Sequence, residues 1–286
     1  MTTPVSHAMR QVSRLMTLRF DGKDPQLVLE SDNDMQAPNW SPDGKWLVFT
    51  AQGALFRVLA DGTGSAEAIP TPGIDHVSND HVISPDGRTV IFTARPDIWK
   101  VPLLGGTPAL LTPQPHTPER LSYWLHGISP DGGTLVHCGQ QGTVKRIWTM
   151  PATGGDDVRL TDGPGDDDGP DYSADGKWVF FNSNRRGTHQ IWKVRADGGA
   201  AMPLTDDHHA NWFPHPSPDG KWVVFLAYPP GTTNHPANLP VQLRRMTPDG
   251  RDLRDLRSLF GGQGTINSPS WAPDSSRFAF VEYSRP

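Results

Sequence analysis

One tetrapeptide punctuates the chain. Ser-Pro-Asp-Gly begins at Ser41, Ser84, Ser129 and Ser217, with looser copies beginning at Ser173 (Ser-Ala-Asp-Gly) and Ala272 (Ala-Pro-Asp-Ser). The aspartates Asp43, Asp86, Asp131, Asp175, Asp219 and Asp274 are spaced by 43, 45, 44, 44 and 55 residues. A period near 44 demands stacked supersecondary units, each too small to bury its own apolar face. Proline presets φ, aspartate caps locally and glycine takes a positive φ, so each copy is a tight turn.

Each turn leads into a short β-branched and aromatic run: Lys45 to Thr50, Arg88 to Thr93, Lys177 to Asn182, Lys221 to Leu226. A second run follows, as at Ala54 to Leu59, Asp97 to Pro102, Arg146 to Met150 and Gln190 to Arg195. Then come a Gly-containing turn and a short outer strand that often ends in Leu-Thr, as at Leu111-Thr112, Leu160-Thr161 and Leu204-Thr205. With the strand before the motif, this gives four antiparallel strands per repeat, which is a propeller blade. The sequence therefore predicts an all-β, six-bladed β-propeller in a single domain spanning 1–286. Its parts are a tail (1–12), outer strands of the closing blade (13–31), blade 1 (32–73), blade 2 (74–115), blade 3 (116–162), blade 4 (163–206), blade 5 (207–260) and inner strands of the closing blade (261–286). The last motif is followed by one strand, Arg277 to Tyr283, and the chain starts with two, Arg14 to Phe20 and Gln26 to Leu29. Both termini are expected to build the sixth blade and remove free edges.

This repeat resembles the propeller repeat of the TolB family over nearly the whole chain. The resemblance implies the fold and leaves the activity open, because propellers host many functions. The amino-terminal α/β domain and the signal peptide of TolB itself have no counterpart in these residues. The first fourteen residues lack an apolar leader stretch and no run suits a membrane span, so a cytoplasmic address without membrane contact is expected. One cysteine, Cys138, excludes an internal disulfide. A net charge of −5 argues against nucleic acid. Eight of the ten tryptophans recur at blade-equivalent positions and read as packing between blades; Trp124 and Trp212 do not.

The histidines carry the functional signal. The motif turns lie on one face of a meander, and the blade-to-blade links ring the channel on the other. His76, His81, His116, His126, His189, His208, His209, His215 and His235 all map to the channel face or the inner strands below it. Three residues before each motif stand Pro38, His81, His126, Pro170, Pro214 and Pro269. His81, His126 and His215 are the expected ligands of a divalent Mn, Zn or Fe ion, with Asp168 of the Asp166–Asp168 run as a fourth ligand or base. His126 and Asp168 are equally suited to acid–base catalysis. Arg185 and Arg186 would anchor an acidic group. Asn79, Trp124, Asn211, Trp212, His235, Gln263 and Asn267 would contact a small polar ligand or sugar at the rim. The 11-residue excess of blade 5 (55 against 44) is placed at Tyr228 to Pro240 and reads as a lid or as a plain insertion. The bland readings are a core histidine bonded to the next blade and a solvated acidic turn.

The layout is similar to that of oligogalacturonate lyase, a propeller enzyme with a histidine-rich metal site in its funnel. The likeness is of arrangement and not of motif. Two functions follow as expectations. One is a metal-assisted lyase or hydrolase acting on an acidic or oxidised sugar. The other is a non-catalytic propeller that receives a protein partner or a ligand.

Overall fold

The computed structural model describes residues 11–112 and 120–284. His7 and His116 lie outside them. Five four-stranded antiparallel sheets and one closing sheet form the six blades. The innermost strands are Met35–Trp40, His81–Ile83, Ser122–Ile128, Asp167–Tyr172 and Ala210–Pro216 in blades 1 to 5. In the closing blade Gln26–Ser31, Ser13–Arg19 and Arg277–Tyr283 pair in that order. The innermost strand is reduced there to a bridge between Trp271 and Phe278. Ser13 pairs with Tyr283 and Arg19 with Arg277, so the ring is latched by both ends of the chain.

The motif turn is wired the same way in the five copies that begin with serine. In blade 1, Ser41 Oγ donates to Asp43 Oδ1 (2.6 Å) and accepts from the Trp46 N–H (2.9 Å). The Lys45 N–H donates to the same carboxylate oxygen at 3.0 Å. Gly44 sits at φ 75°. In the last copy Ser275 takes the glycine's place at φ 61°, a conformation non-glycine residues rarely adopt. The Leu-Thr dipeptides lie just beyond the outer strands, which end at Leu110, Arg159 and Pro203. The threonine hydroxyls explain the recurrence: Thr161 and Thr205 accept from the Ile147 and Ile191 N–H groups, where the ladder has run out.

The core sits between blades. Leu15, Leu47, Phe49 and Val281 fill the seam between the closing blade and blade 1. Trp212, Leu226, Phe278 and Phe280 fill that between blade 5 and the closing blade. No helix in the described residues is long and apolar enough to cross a membrane.

Candidate functional site

A β-bulge sets the site. In blades 1, 4 and 5 the inner ladder skips from Gln36 to Asn39, from Asp168 to Asp171 and from Trp212 to His215. The second skipped residue is Pro38, Pro170 or Pro214, whose missing N–H an unpaired position does not need. The first, Ala37, Gly169 or Phe213, has a φ of 55°, 57° or 56°. In blade 3 the skipped residue is His126. The ladder leaves this position free for proline in blades 1, 4 and 5 and for His126 in blade 3, where the bulge re-aims the ring, whereas His81 of blade 2 stays paired with Phe92.

His126 reaches across the channel. Its Nδ1 lies 3.1 Å from the Asn267 carbonyl of the closing blade, which can only accept, so Nδ1 carries a proton. Its Nε2 lies 3.6 Å from Asp168 Oδ1 and 3.9 Å from Asp80 Oδ1, ion-pair distances rather than hydrogen bonds. Burial opposes a charge on this ring, but Asp168 and Asp80 together outweigh it and raise the His126 pKa above the ordinary value. Burial also works against a charge on Asp168, yet the Lys145 ammonium at 2.8 Å and the His126 ring hold its carboxyl well below the usual range. Asp80 goes the other way: burial raises it, against the pull of His126 and of Ser78, whose hydroxyl lies at 2.8 Å.

The expected metal set is not assembled. His215 gives Nε2 to the Ile266 carbonyl (2.5 Å) and Nδ1 to Asp171 Oδ2 (2.9 Å), leaving no lone pair for a cation. His81 faces the Val48 carbonyl through Nε2 (3.4 Å), and its buried Nδ1 lacks a hydrogen-bond partner. Burial pushes His81 down to about 4. Among the described residues no group of three His, Cys, Asp or Glu is placed to hold a metal ion. The three histidines close the channel by bonding to other blades, and of the three only His126 keeps a nitrogen facing carboxylates from beyond hydrogen-bond distance.

Other rim assignments also change. Asp167 points away from the channel and clamps Arg185 with both oxygens (2.6 and 2.8 Å), so that guanidinium is committed. Arg186 is exposed and lies over Trp192. Asn211 is buried, and its amide is spent on Gln190, Thr205 and Asp207. Asn267 is buried and accepts from the Gly264 N–H at 2.7 Å. Trp212 is buried between the rings of His189 and His235, with centroids 4.0 and 4.5 Å away. Burial holds His189 at about 4. These side chains build the wall and do not face a ligand.

Asn79, Gln263 and Trp124 lie at the mouth. Asn79, Gln36, Gln263 and Arg95 line a cavity of about 320 Å³ at the mouth. Trp124 is half-buried beneath two cations, Arg95 at 4.9 Å and Lys145 at 5.1 Å from its ring centre. His235 sits in the blade 5 excess, between strands Val223–Tyr228 and Leu239–Met246. It hydrogen-bonds Gln263 and packs edge-on against Trp212 and Phe213. The same loop is tied down by Pro236, whose carbonyl accepts from Tyr228 Oη (3.1 Å) and the Gln263 N–H (3.2 Å). A Cβ at Gly262 would lie 2.2 Å from that carbonyl, so only glycine lets the loop dock. Asp80 and Lys145 were not among the expected catalytic groups. Their signal was the alignment of Asp80 beside His81 and of Lys145 with the other basic rim residues.

The described relatives share this architecture. Residues 126–242 match the model of the TolB beta propeller domain. An uncharacterised Agrobacterium fabrum protein, Atu1656, is 41% identical over 99% of this chain and 96% of its own length. The solved structure of a candidate TolB from Agrobacterium tumefaciens superposes with a TM-score of 0.91 at 40% identity, covering 96% of this chain and 99% of that one. TolB from Acinetobacter baumannii, at 21% identity and TM-score 0.68 over 88% of this chain and 64% of its own, shares the fold. With its repeat, its closed six-bladed ring and full-length identity to such relatives, the chain belongs to the TolB-like β-propeller family.

Proposed function

We propose that the channel mouth is a proton-transfer site acting on a small carbohydrate, of the lyase or hydrolase type. The observation that carries this reading is His126, fixed by Asn267 and flanked by two carboxylates whose pKa values are pushed apart. In this reading His126 is the acid, kept charged by Asp168 and Asp80. Asp80, raised by burial, is the base. In an elimination, Asp80 takes a proton from carbon, a C=C bond forms as the C–O bond breaks, and His126 protonates the departing oxygen. Acid–base work of this kind contributes about 10²–10⁴-fold. Asp80 and His126 are each 2% exposed, so in this reading the mouth must open for substrate to reach them.

The test is deuterium incorporation. Wild type and His126→Gln are incubated in D₂O with a panel of neutral hexoses, hexuronates and keto-sugars, and C–H loss is followed by NMR. Exchange or product formation in wild type alone supports the reading. No exchange with any member of the panel would overturn it and leave a non-catalytic binding propeller as the better account.

A further inference from the structure

We propose that the mouth cavity around Arg95 is a carboxylate-binding subsite, and that the ligand of this channel is a polyhydroxylated carboxylic acid. This rests on the proton-transfer reading and names its substrate class. Of the basic groups at the rim, most are already spent. Lys145 is paired with Asp168, Arg146 donates to the carbonyls of Lys145, Gly163 and Gly165, and Arg185 is clamped by Asp167. Arg95 has no carboxylate partner within ion-pair distance among the described residues, and it lines the cavity of about 320 Å³. Its guanidinium is held over the Trp124 ring, with the Lys145 ammonium close to the same ring. Asp80 lies near enough for the Arg95 charge to pull its pKa down against burial. The cation is thus positioned, unneutralised and beside the acid–base groups.

A guanidinium presents a planar fork of donors that matches a carboxylate. The rest of the wall supplies partners for hydroxyl groups. Asn79, Gln36 and Gln263 carry amides, and Asp34 carries an acceptor carboxylate that already holds the Gln36 amide. A cation together with amides and a carboxylate in one cavity select a ligand that carries both an acid and hydroxyl donors. The volume stands at the lower end of ligand pockets, about 300–1,000 Å³, which suits one sugar ring rather than a chain.

The experiment is calorimetric titration of wild type, Arg95→Gln and Arg186→Gln with galacturonate, methyl galactoside, acetate and inorganic phosphate, with thermal unfolding as a check on the fold. Galacturonate is expected to bind wild type at least about 10-fold more tightly than the neutral sugar or acetate. Arg95→Gln should erase that preference, and Arg186→Gln should keep it. Equal affinity for acid and neutral sugar, undiminished binding by Arg95→Gln, phosphate binding as tight as galacturonate, or no binding by any probe would each overturn the proposal. The two readings fail separately. Deuterium exchange into a neutral sugar would sink the subsite and spare the chemistry. Arg95-dependent galacturonate binding without exchange would do the reverse.

Discussion

His126 and His215 stand one register position apart on the inner strands of two repeats, and the two ends of the channel treat them oppositely. At the motif end, His215 has both nitrogens bonded, to Ile266 and Asp171. Below it lies a cavity of about 320 Å³ to whose wall every blade contributes, among others through Trp40, Ile83, Ile128, Tyr172, Pro216 and Trp271. Because Nε2 must donate to a carbonyl, Nδ1 is left to bond Asp171, and the pair is closed. At the mouth, His126 has one nitrogen fixed and the other held between two carboxylates beyond hydrogen-bond distance. A satisfied histidine is a strut. One with an imidazolium face left toward acids can give and take a proton.

The contrast can be broken by substitution. The largest expected effect is on chemistry: His126→Gln should lower deuterium exchange at least about 100-fold while the protein still melts cooperatively. His215→Ala should act on stability instead. It leaves Asp171 and the Ile266 carbonyl buried without their partner, at a cost of about 3 kcal/mol by urea denaturation.

The pH dependence sharpens the same comparison. His81 and His189, at about 4 when folded, bind fewer protons than the unfolded chain between roughly pH 6.5 and 4. Stability should fall through that window as pH drops, by roughly 3 kcal/mol for fully buried His81. His126 has the opposite sign: its stabilisation is complete below the unfolded value and is lost as pH rises through its raised folded value. NMR of the imidazole C–H protons should therefore show His126 titrating above, and His81 below, an ordinary histidine. Arg186→Ala should be the mildest change, within about 0.5 kcal/mol of wild type by thermal melt, because its side chain is exposed.

The repeat made the blades, their number and the closing latch readable, since turn chemistry and strand period are local. The segregation of histidines to the channel was readable for the same reason. What could not be read was direction. Asp167 and Asp168 differ by one step of alternation, and which of them meets the channel depends on a bulge that no residue announces. That bulge sends Asp167 to Arg185 and Asp168 to His126 and Lys145. Asn211, Asn267 and Trp212 were expected at the rim, but they are buried wall residues whose partners come from neighbouring segments. Asp80 was passed over because the burial that raises its pKa is a property of the assembled ring.

The latch between Ser13–Arg19 and Arg277–Tyr283 has a consequence in time. During synthesis the blades emerge in order, and domains begin to fold as they emerge. His126, however, takes its orientation from Asn267, and the ring cannot close until the strand ending at Tyr283 has left the ribosome. A nascent or truncated chain would carry all the acid–base side chains of blades 2 to 4 without their alignment. In the proposed reading, the site is therefore aligned only once both strands of the latch are present and paired.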